Sequence, residues 1–369
     1  MTKSAPRPLE TRATPSAKRA RQTLTTADVL ARAQAYPRLR YMGSKYQLLP
    51  HLERVFAGIG GTTAVDAFSG SGVVSYLLKA QGFSVTSNDF MRFPSVVARA
   101  VVENSTERLD LEAVEMICGP AADDRDFIRS TFSGIFFTPE DLAFLDSAWS
   151  HIDRMQGYAR DIAVSALILS AARKQPRGVF SFSDPTRYAD GRRDLRLSLR
   201  EHFRERVAEY NATVFDMNTR STAVCGDVFD LDVTAPDVVY LDPPYAPPRD
   251  DADYMKRYHF LEGLSAYWRG VTIMEHTKTK KIEKRFTPFA YKRSIEDALL
   301  RTFEHFRDAG AIVMSYSSNA LPGVERITEL LSQVKPRVEV QSIDHRYSFG
   351  THASATRRTV SEYLFIARD

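Results

Sequence analysis

The stretch Thr62-Thr63-Ala64-Val65-Asp66-Ala67-Phe68-Ser69-Gly70-Ser71-Gly72 decides the fold of this chain. Residues 62–68 read as a strand ending near an acid, and Ser69 to Gly72 as a tight turn. Val73 to Ala80 then place apolar side chains at helical spacing, and Gly82 stops that helix. Phe83-Ser84-Val85-Thr86-Ser87-Asn88-Asp89 alternates as a second strand and ends in a second acid. A strand, a glycine loop, a helix and a strand, with an acid about 20 residues beyond the loop, form the unit that holds a nucleoside at the carboxyl ends of parallel strands. Gly70 and Gly72 let the backbone approach a ligand. Asp89 is placed to accept from ribose hydroxyls. The loop lacks the full three-glycine dinucleotide fingerprint. Asp66 would repel a phosphate but suits a cationic amino-acid group. The expected cofactor is S-adenosylmethionine rather than NAD.

Further along, Val238-Val239-Tyr240-Leu241 is an apolar strand running directly into Asp242-Pro243-Pro244-Tyr245. Two successive prolines fix φ twice and remove two backbone donors, and the first biases Asp242 toward an extended conformation. The result is a stiff turn with carbonyls free to face a ligand, a carboxylate acceptor at Asp242 and a ring for stacking at Tyr245. Those features suit a flat, amino-bearing ring held against a methyl donor. Upstream, Arg40-Tyr41-Met42-Gly43-Ser44-Lys45 is a polar turn opening a helix. A helix amino terminus with a lysine suits a carboxylate, so Lys45 is expected near the methionine end of the cofactor. Cys225-Gly226-Asp227-Val228 ends a strand just before the Asp242 strand, and Asp227 is placed to accept from the cofactor's adenine amino group.

With these motifs in this order, the chain resembles the D12-class, Dam-like DNA adenine-N6 methyltransferases. The likeness rests on Tyr41-Met42-Gly43-Ser44-Lys45, on Asp66 to Gly72 and on Asp242-Pro243-Pro244-Tyr245, and it spans roughly residues 36–369. The motif order resembles the alpha arrangement, in which a long insertion carries target recognition. The resemblance implies cofactor contacts from Tyr41, Gly43, Ser44, Lys45, Asp66, Phe68, Gly70, Gly72, Asp89, Asp227 and Val228. It places Tyr41 near the adenine and Arg40 at a basic DNA contact. Ser44 departs from the glycine that relatives often carry there. The implied fold class is α/β, a Rossmann-like methyltransferase sheet, mostly parallel, with a terminal antiparallel hairpin and a largely helical insertion. The implied catalytic residues are Asp242, Pro243, Pro244 and Tyr245.

The chemistry needs alignment rather than a covalent intermediate. The exocyclic amine of adenine is a poor nucleophile because its lone pair is delocalised. Hydrogen bonds from its protons to the Asp242 carboxylate and the Pro243 carbonyl would pyramidalise the nitrogen. The base must leave the duplex stack to be reached. Cytosine C5 chemistry would need a cysteine nucleophile, and neither Cys118 nor Cys225 stands in a fitting context. DNA cytosine-N4 methylation, RNA base methylation and a catalytically inactive DNA-binding protein remain open alternatives.

Composition narrows the class. The 369 residues, 43% hydrophobic, can build a substantial core. Two cysteines imply no disulfide framework and a reducing compartment. No metal-ligand spacing, membrane span or signal peptide is visible, so no metal and no membrane are expected. The expected location is bacterial cytoplasm, at the nucleoid, and the expected state a monomer or weak dimer. Net charge is only +4, but the cations cluster. Residues 1–35 read as a basic, disordered arm. Residues 36–104 and 221–369 read as the catalytic domain and 105–220 as the insertion. Within the insertion, Thr138 and Pro139 mark a helix start, 161–173 an apolar helix packed on the sheet and 195–210 a basic helix. Lys174, Arg177, Arg187, Arg192 and Arg193 interleave with aromatics, as phosphate neutralisation and base stacking require. Lys278, Lys280, Lys281, Lys284 and Arg285 read as a loop closing over DNA. The expected partner is double-stranded DNA, with a cognate restriction endonuclease as a companion to look for.

Overall fold

A computed structural model describes residues 23–176, 178–181, 191–246, 253–346 and 359–369. The chain opens with α1 (Thr26–Ala35) and α2 (Leu49–Ile59), followed by β1 (Thr63–Asp66), α3 (Val73–Ala80), β2 (Ser84–Asp89) and α4 (Arg92–Ala98). Helices then dominate: α5 (Leu111–Ile117), α6 (Phe127–Thr131), α7 (Pro139–Ile152), α8 (Gly157–Lys174), α9 (Arg193–Arg196) and α10 (Leu199–Thr213). The remainder is β3 (Thr222–Cys225), β4 (Val238–Leu241), α11 (Tyr254–Leu264), α12 (Ile295–His305), β5 (Ala311–Ser317), α13 (Val324–Ser332), β6 (Arg337–Arg346) and β7 (Thr359–Arg368).

The strands form one seven-stranded sheet in the order β3-β2-β1-β4-β5-β7-β6. β3, β2, β1, β4 and β5 are parallel. β7 runs antiparallel to β5 and β6, which gives the expected antiparallel end. Side chains alternate across the sheet. Ala64, Val85, Val238, Tyr240, Val313, Leu364 and Ile366 join the core under α1 to α4. Val65, Val239, Leu241, Ile312, Met314 and Phe365 join the core under α12 and α13. Burial on both faces is why β4 reads as an unbroken apolar run. The chain goes from β1 outward to β2 and β3, then returns to place β4 on β1's other side. Strand order therefore reverses between β1 and β4, and a crevice opens beyond their carboxyl ends at such a point.

Several expectations shift. The basic arm is shorter than read. Thr25 caps α1, accepting from the Asp28 amide at 3.2 Å, and Val29 and Ala33 of α1 are buried in the core. Residues 1–22 lie outside the described residues. The insertion is helical, as expected, and Thr138 does cap α7 with Pro139 in its first turn. It does not own a separate core: Leu167 and Phe203 belong to the same cluster as the sheet residue Val85. α8 packs against α4, α10 and α11, and α4 in turn packs on β2 and β3 of the sheet. The basic helix expected from Leu195 starts later, because Ser198 and Glu201 form a capping box that nucleates α10 at Leu199.

Candidate active site

A cleft of about 1140 Å³, open to solvent, lies at the carboxyl ends of β1, β2 and β4. It gathers segments far apart in sequence: Tyr41 to Lys45, Asp66 to Ser71, Asn88 to Met91, Gly226 to Val228, Asp242, Pro244, and residues 284–291. Of the expected cofactor residues, Tyr41, Gly43, Ser44, Lys45, Asp66, Phe68, Gly70, Asp89, Asp227 and Val228 line it.

Gly72 does not line the cleft. It adopts a left-handed φ of 81°, and a Cβ there would meet the Tyr36 hydroxyl at 2.6 Å, so this glycine serves turn geometry and packing. Gly70 has φ 49°, and a Cβ there would come 2.8 Å from Cε1 of Tyr41. The Tyr41 ring therefore lies against the loop, where it also stacks on Tyr258 at 5.0 Å.

The acids carry distinct tasks. Asp66 is fully buried. Its Oδ2 accepts from the Ser75 hydroxyl at 2.6 Å, while Oδ1 has no partner among the described residues. Burial pushes its carboxyl up to about 7, with the charges of Asp242 and Asp89 adding to the rise. Asp89 accepts from the Gly70 amide through Oδ2 and from the Met91 amide through Oδ1, both at 2.8 Å. Burial lifts it to about 6 against the lowering effect of those bonds. Asp227 accepts from the Phe229 amide at 3.1 Å.

Asp242 sits at the end of β4, on the strand that pairs with β1. Three groups converge on its carboxylate. Lys45 Nζ lies 2.8 Å from Oδ2, the Tyr245 hydroxyl donates to Oδ1 at 3.0 Å, and the Ser315 hydroxyl donates at 3.2 Å. Lys45 Nζ also donates to the Gly43 carbonyl at 2.6 Å. Lys45 lines the cleft and is engaged with the acid of the turn. The expected helix start shifts: α2 begins at Leu49, beyond the lining residues, so its amino end is not part of the cleft. Tyr245, expected as a stacking face alone, also uses its hydroxyl, which lies 3.2 Å from Glu362 Oε2. Its ring packs at 60° to Tyr316. Pro243 is buried beneath the turn and Pro244 lines the cleft.

Sequence reading missed Ser69, Asn88, Phe90, Ser315 and Glu362 as site components, and it gave Lys284 and Arg285, which line the cleft, as DNA contacts. Ser69 and Asn88 flank the glycine loop and the Asp89 strand end, so position alone signalled them. Ser69 Oγ and Asn88 Oδ1, like Asp66 Oδ1, are buried and without a partner among the described residues. These three atoms leave hydrogen-bonding capacity unused beside the cleft. Glu362 comes from β7, which reaches the site only through antiparallel pairing with β5, where it faces Ser317.

The expected DNA contacts divide. Arg177 and Arg187 lie outside the described residues. Arg40 pairs with Asp194 at 2.8 Å, and Lys174 with Asp141 at 2.7 Å. Arg193 pairs with Glu205, and Arg192 donates to the Pro176 carbonyl at 3.2 Å. Lys280 pairs with Glu275 at 2.6 Å, Lys284 with Asp253 and Arg285 with Glu262 at 3.2 Å. Lys278 is exposed and Lys281 half-buried. Tyr258 and His259 are buried core residues.

A glycine loop, strand-end acids and a proline-stiffened acidic turn meet at the carboxyl ends of the parallel strands of an α/β fold of the methyltransferase class. The chain belongs to the D12 class of N6 adenine-specific DNA methyltransferases, whose family profile matches residues 41–297. It is 26% identical over 349 residues to the type II methyltransferase M2.HphI of Haemophilus parahaemolyticus, covering 90% of this chain and 98% of that one. It is 23% identical over 363 residues to the modification methylase StsI of Streptococcus sanguinis, covering 89% of this chain and 52% of that relative. Among the described residues no helix is long and apolar enough to cross a membrane, and no group of acids, histidines or cysteines is arranged to hold a metal.

Proposed function

We propose that this DNA adenine-N6 methyltransferase uses S-adenosylmethionine and acts on an adenine flipped out of a specific double-stranded sequence. The observation that carries this reading is that Asp242 and Asp66, whose Oδ1 has no partner among the described residues, stand on adjacent strand ends in one cleft. Asp66 Oδ1 would receive the cofactor's ammonium, Asp89 its ribose hydroxyls and Asp227 its adenine amine. Tyr41 and Phe68 would supply apolar walls. S-adenosylmethionine, when bound, supplies an activated methyl group with a neutral leaving group.

The chain's own residues do the rest. Donors on both oxygens of Asp242 fix the plane of its carboxylate, so an adenine N6 amine meets a preorganised acceptor. The Pro243 carbonyl would accept the second amine proton. Lys45 organises Asp242 rather than serving a cofactor carboxylate. Tyr245 orients the same acid through its hydroxyl and offers its ring to the extruded base. Extrusion itself is required because the amine lies inside the base stack.

Residues 105–220 carry target recognition in this reading, with the cations of that region and exposed Lys278 serving phosphates. A cognate restriction endonuclease as companion is supported by relatives named as modification methylases. Action as a monomer or weak dimer in the bacterial cytoplasm completes the proposal. Incubation with methyl-labelled S-adenosylmethionine and duplex DNA, followed by nucleoside digestion, tests it. Label in N6-methyldeoxyadenosine is expected. Label in deoxycytidine, or none, would overturn it.

A further inference from the structure

We infer that Arg285 is a positioning residue for the nucleoside end of the cofactor rather than a DNA phosphate contact. The inference rests on the S-adenosylmethionine reading above. Arg285 lines the cleft together with Phe90, Asp89 and Asp227. Its guanidinium carbon lies 4.4 Å from the centroid of the Phe90 ring. Its Nη2 donates to the Phe90 carbonyl at 2.6 Å and to Glu262 Oε1 at 3.2 Å.

Glu262 is itself anchored. It is 5% exposed, and it accepts from the amides of Arg92 and Phe93 at the start of α4, at 3.0 and 3.1 Å. Phe90 follows Asp89 directly, and Asp89 holds the Gly70 amide. One guanidinium therefore ties three walls of the cleft together: the loop after β2, α11 through Glu262, and the 284–291 segment. The next cation along, Lys284, pins the same segment to Asp253, the cap of α11. Phe289 closes it over Phe68, edge to face at 5.0 Å. About half of the Arg285 side chain is exposed, at 49%, yet its Nη2 donors are spent on the cleft wall. A planar cation set over a ring, with one nitrogen shared between a carbonyl and a buried carboxylate, is a role lysine fills poorly.

The test compares the full-length wild type with Arg285→Ala and Arg285→Lys. Each is titrated with S-adenosylhomocysteine by calorimetry, and separately with duplex DNA at several salt concentrations. Both variants are expected to bind the nucleoside about tenfold more weakly, the loss of one half-exposed cation–π contact together with the ion pair to Glu262. Arg285→Lys is expected to keep wild-type DNA affinity and salt slope. Unchanged nucleoside affinity in both variants overturns the inference. So does weaker DNA binding by Arg285→Ala, with a salt slope reduced by about one, if nucleoside affinity stays intact. A wild type that does not bind S-adenosylhomocysteine sinks the cofactor reading, and the inference with it. Where Arg285→Ala fails to fold, Arg285→Lys carries the comparison.

Discussion

Lys45 Nζ stands 2.8 Å from Oδ2 of Asp242, so the turn before α2 and the end of β4 meet in an ion pair at the floor of the active-site cleft. The lysine is 4% exposed and the aspartate 18%. A pair this sheltered orients the acid, and breaking it leaves a charge without its partner. Lys45→Met is therefore expected to lower kcat at least tenfold and to cost about 1–3 kcal/mol of stability. Steady-state kinetics with a melting curve measure both. Wild-type turnover by this variant would remove Lys45 from the machinery.

Asp242→Asn keeps the shape of the side chain and removes its charge. The amine of the target base then loses its strongest acceptor, and kcat should fall by roughly 10²–10³, with S-adenosylhomocysteine binding within about threefold of wild type. Single-turnover transfer assays and calorimetry separate the two effects. A variant that turns over normally contradicts the catalytic assignment.

The Tyr245 hydroxyl donates to Asp242 Oδ1 at 3.0 Å and lies 3.2 Å from Glu362 Oε2. Tyr245→Phe deletes that donor and retains the ring, so a loss of about tenfold in kcat is expected, matching one hydrogen bond to a charged group. Tyr245→Ala should lose substantially more. If the two variants were equally impaired, the ring would have no separate role in holding the base.

Asp66 and Asp89 set a pH dependence. Burial raises them from an ordinary 3.8 to about 7 and about 6. Each binds its proton more tightly folded than unfolded. Each thus contributes stability that is full below the unfolded value and lost as pH rises through the folded one. Relative to Asp66→Asn, the ligand-free wild type should lose melting temperature between about pH 4 and about pH 7. Saturating S-adenosylmethionine should reduce that loss, because a cationic ligand favours the ionised acid. Melts of both proteins across that range decide it; a wild type gaining on the variant as pH rises would refute the assignment.

Lys278 is exposed. Lys278→Glu is expected to weaken duplex binding and lower the slope of log affinity against log salt by about one. Binding isotherms at several salt concentrations read this directly. An unchanged slope would place the segment away from DNA.

Much of the fold was legible because its signals are local. Strand β1, the glycine turn and helix α3 follow from residues 62–80 by periodicity and by the left-handed turn that Gly70 and Gly72 permit. The cap at Thr138 was legible for the same reason. Boundaries slipped where a side chain decides them through a hydrogen bond, as Ser198 does for α10. Within the stretch expected as an arm, α1 is held by its Thr25 cap and by burial of Val29 and Ala33 against the rest of the fold.

The sequence by itself determined the candidate inventory of the site: the strand-end acids Asp66, Asp89 and Asp227 and the proline-stiffened Asp242 turn. It did so because each depends on backbone preferences of neighbouring residues. Tertiary structure alone decided the partners. Lys45 holds Asp242, Glu362 reaches Tyr245 across β7, and Arg285 ties Phe90 to Glu262. A charged side chain takes whichever opposite charge the packed core brings within reach. That choice is made in space between distant segments, and no local pattern encodes it.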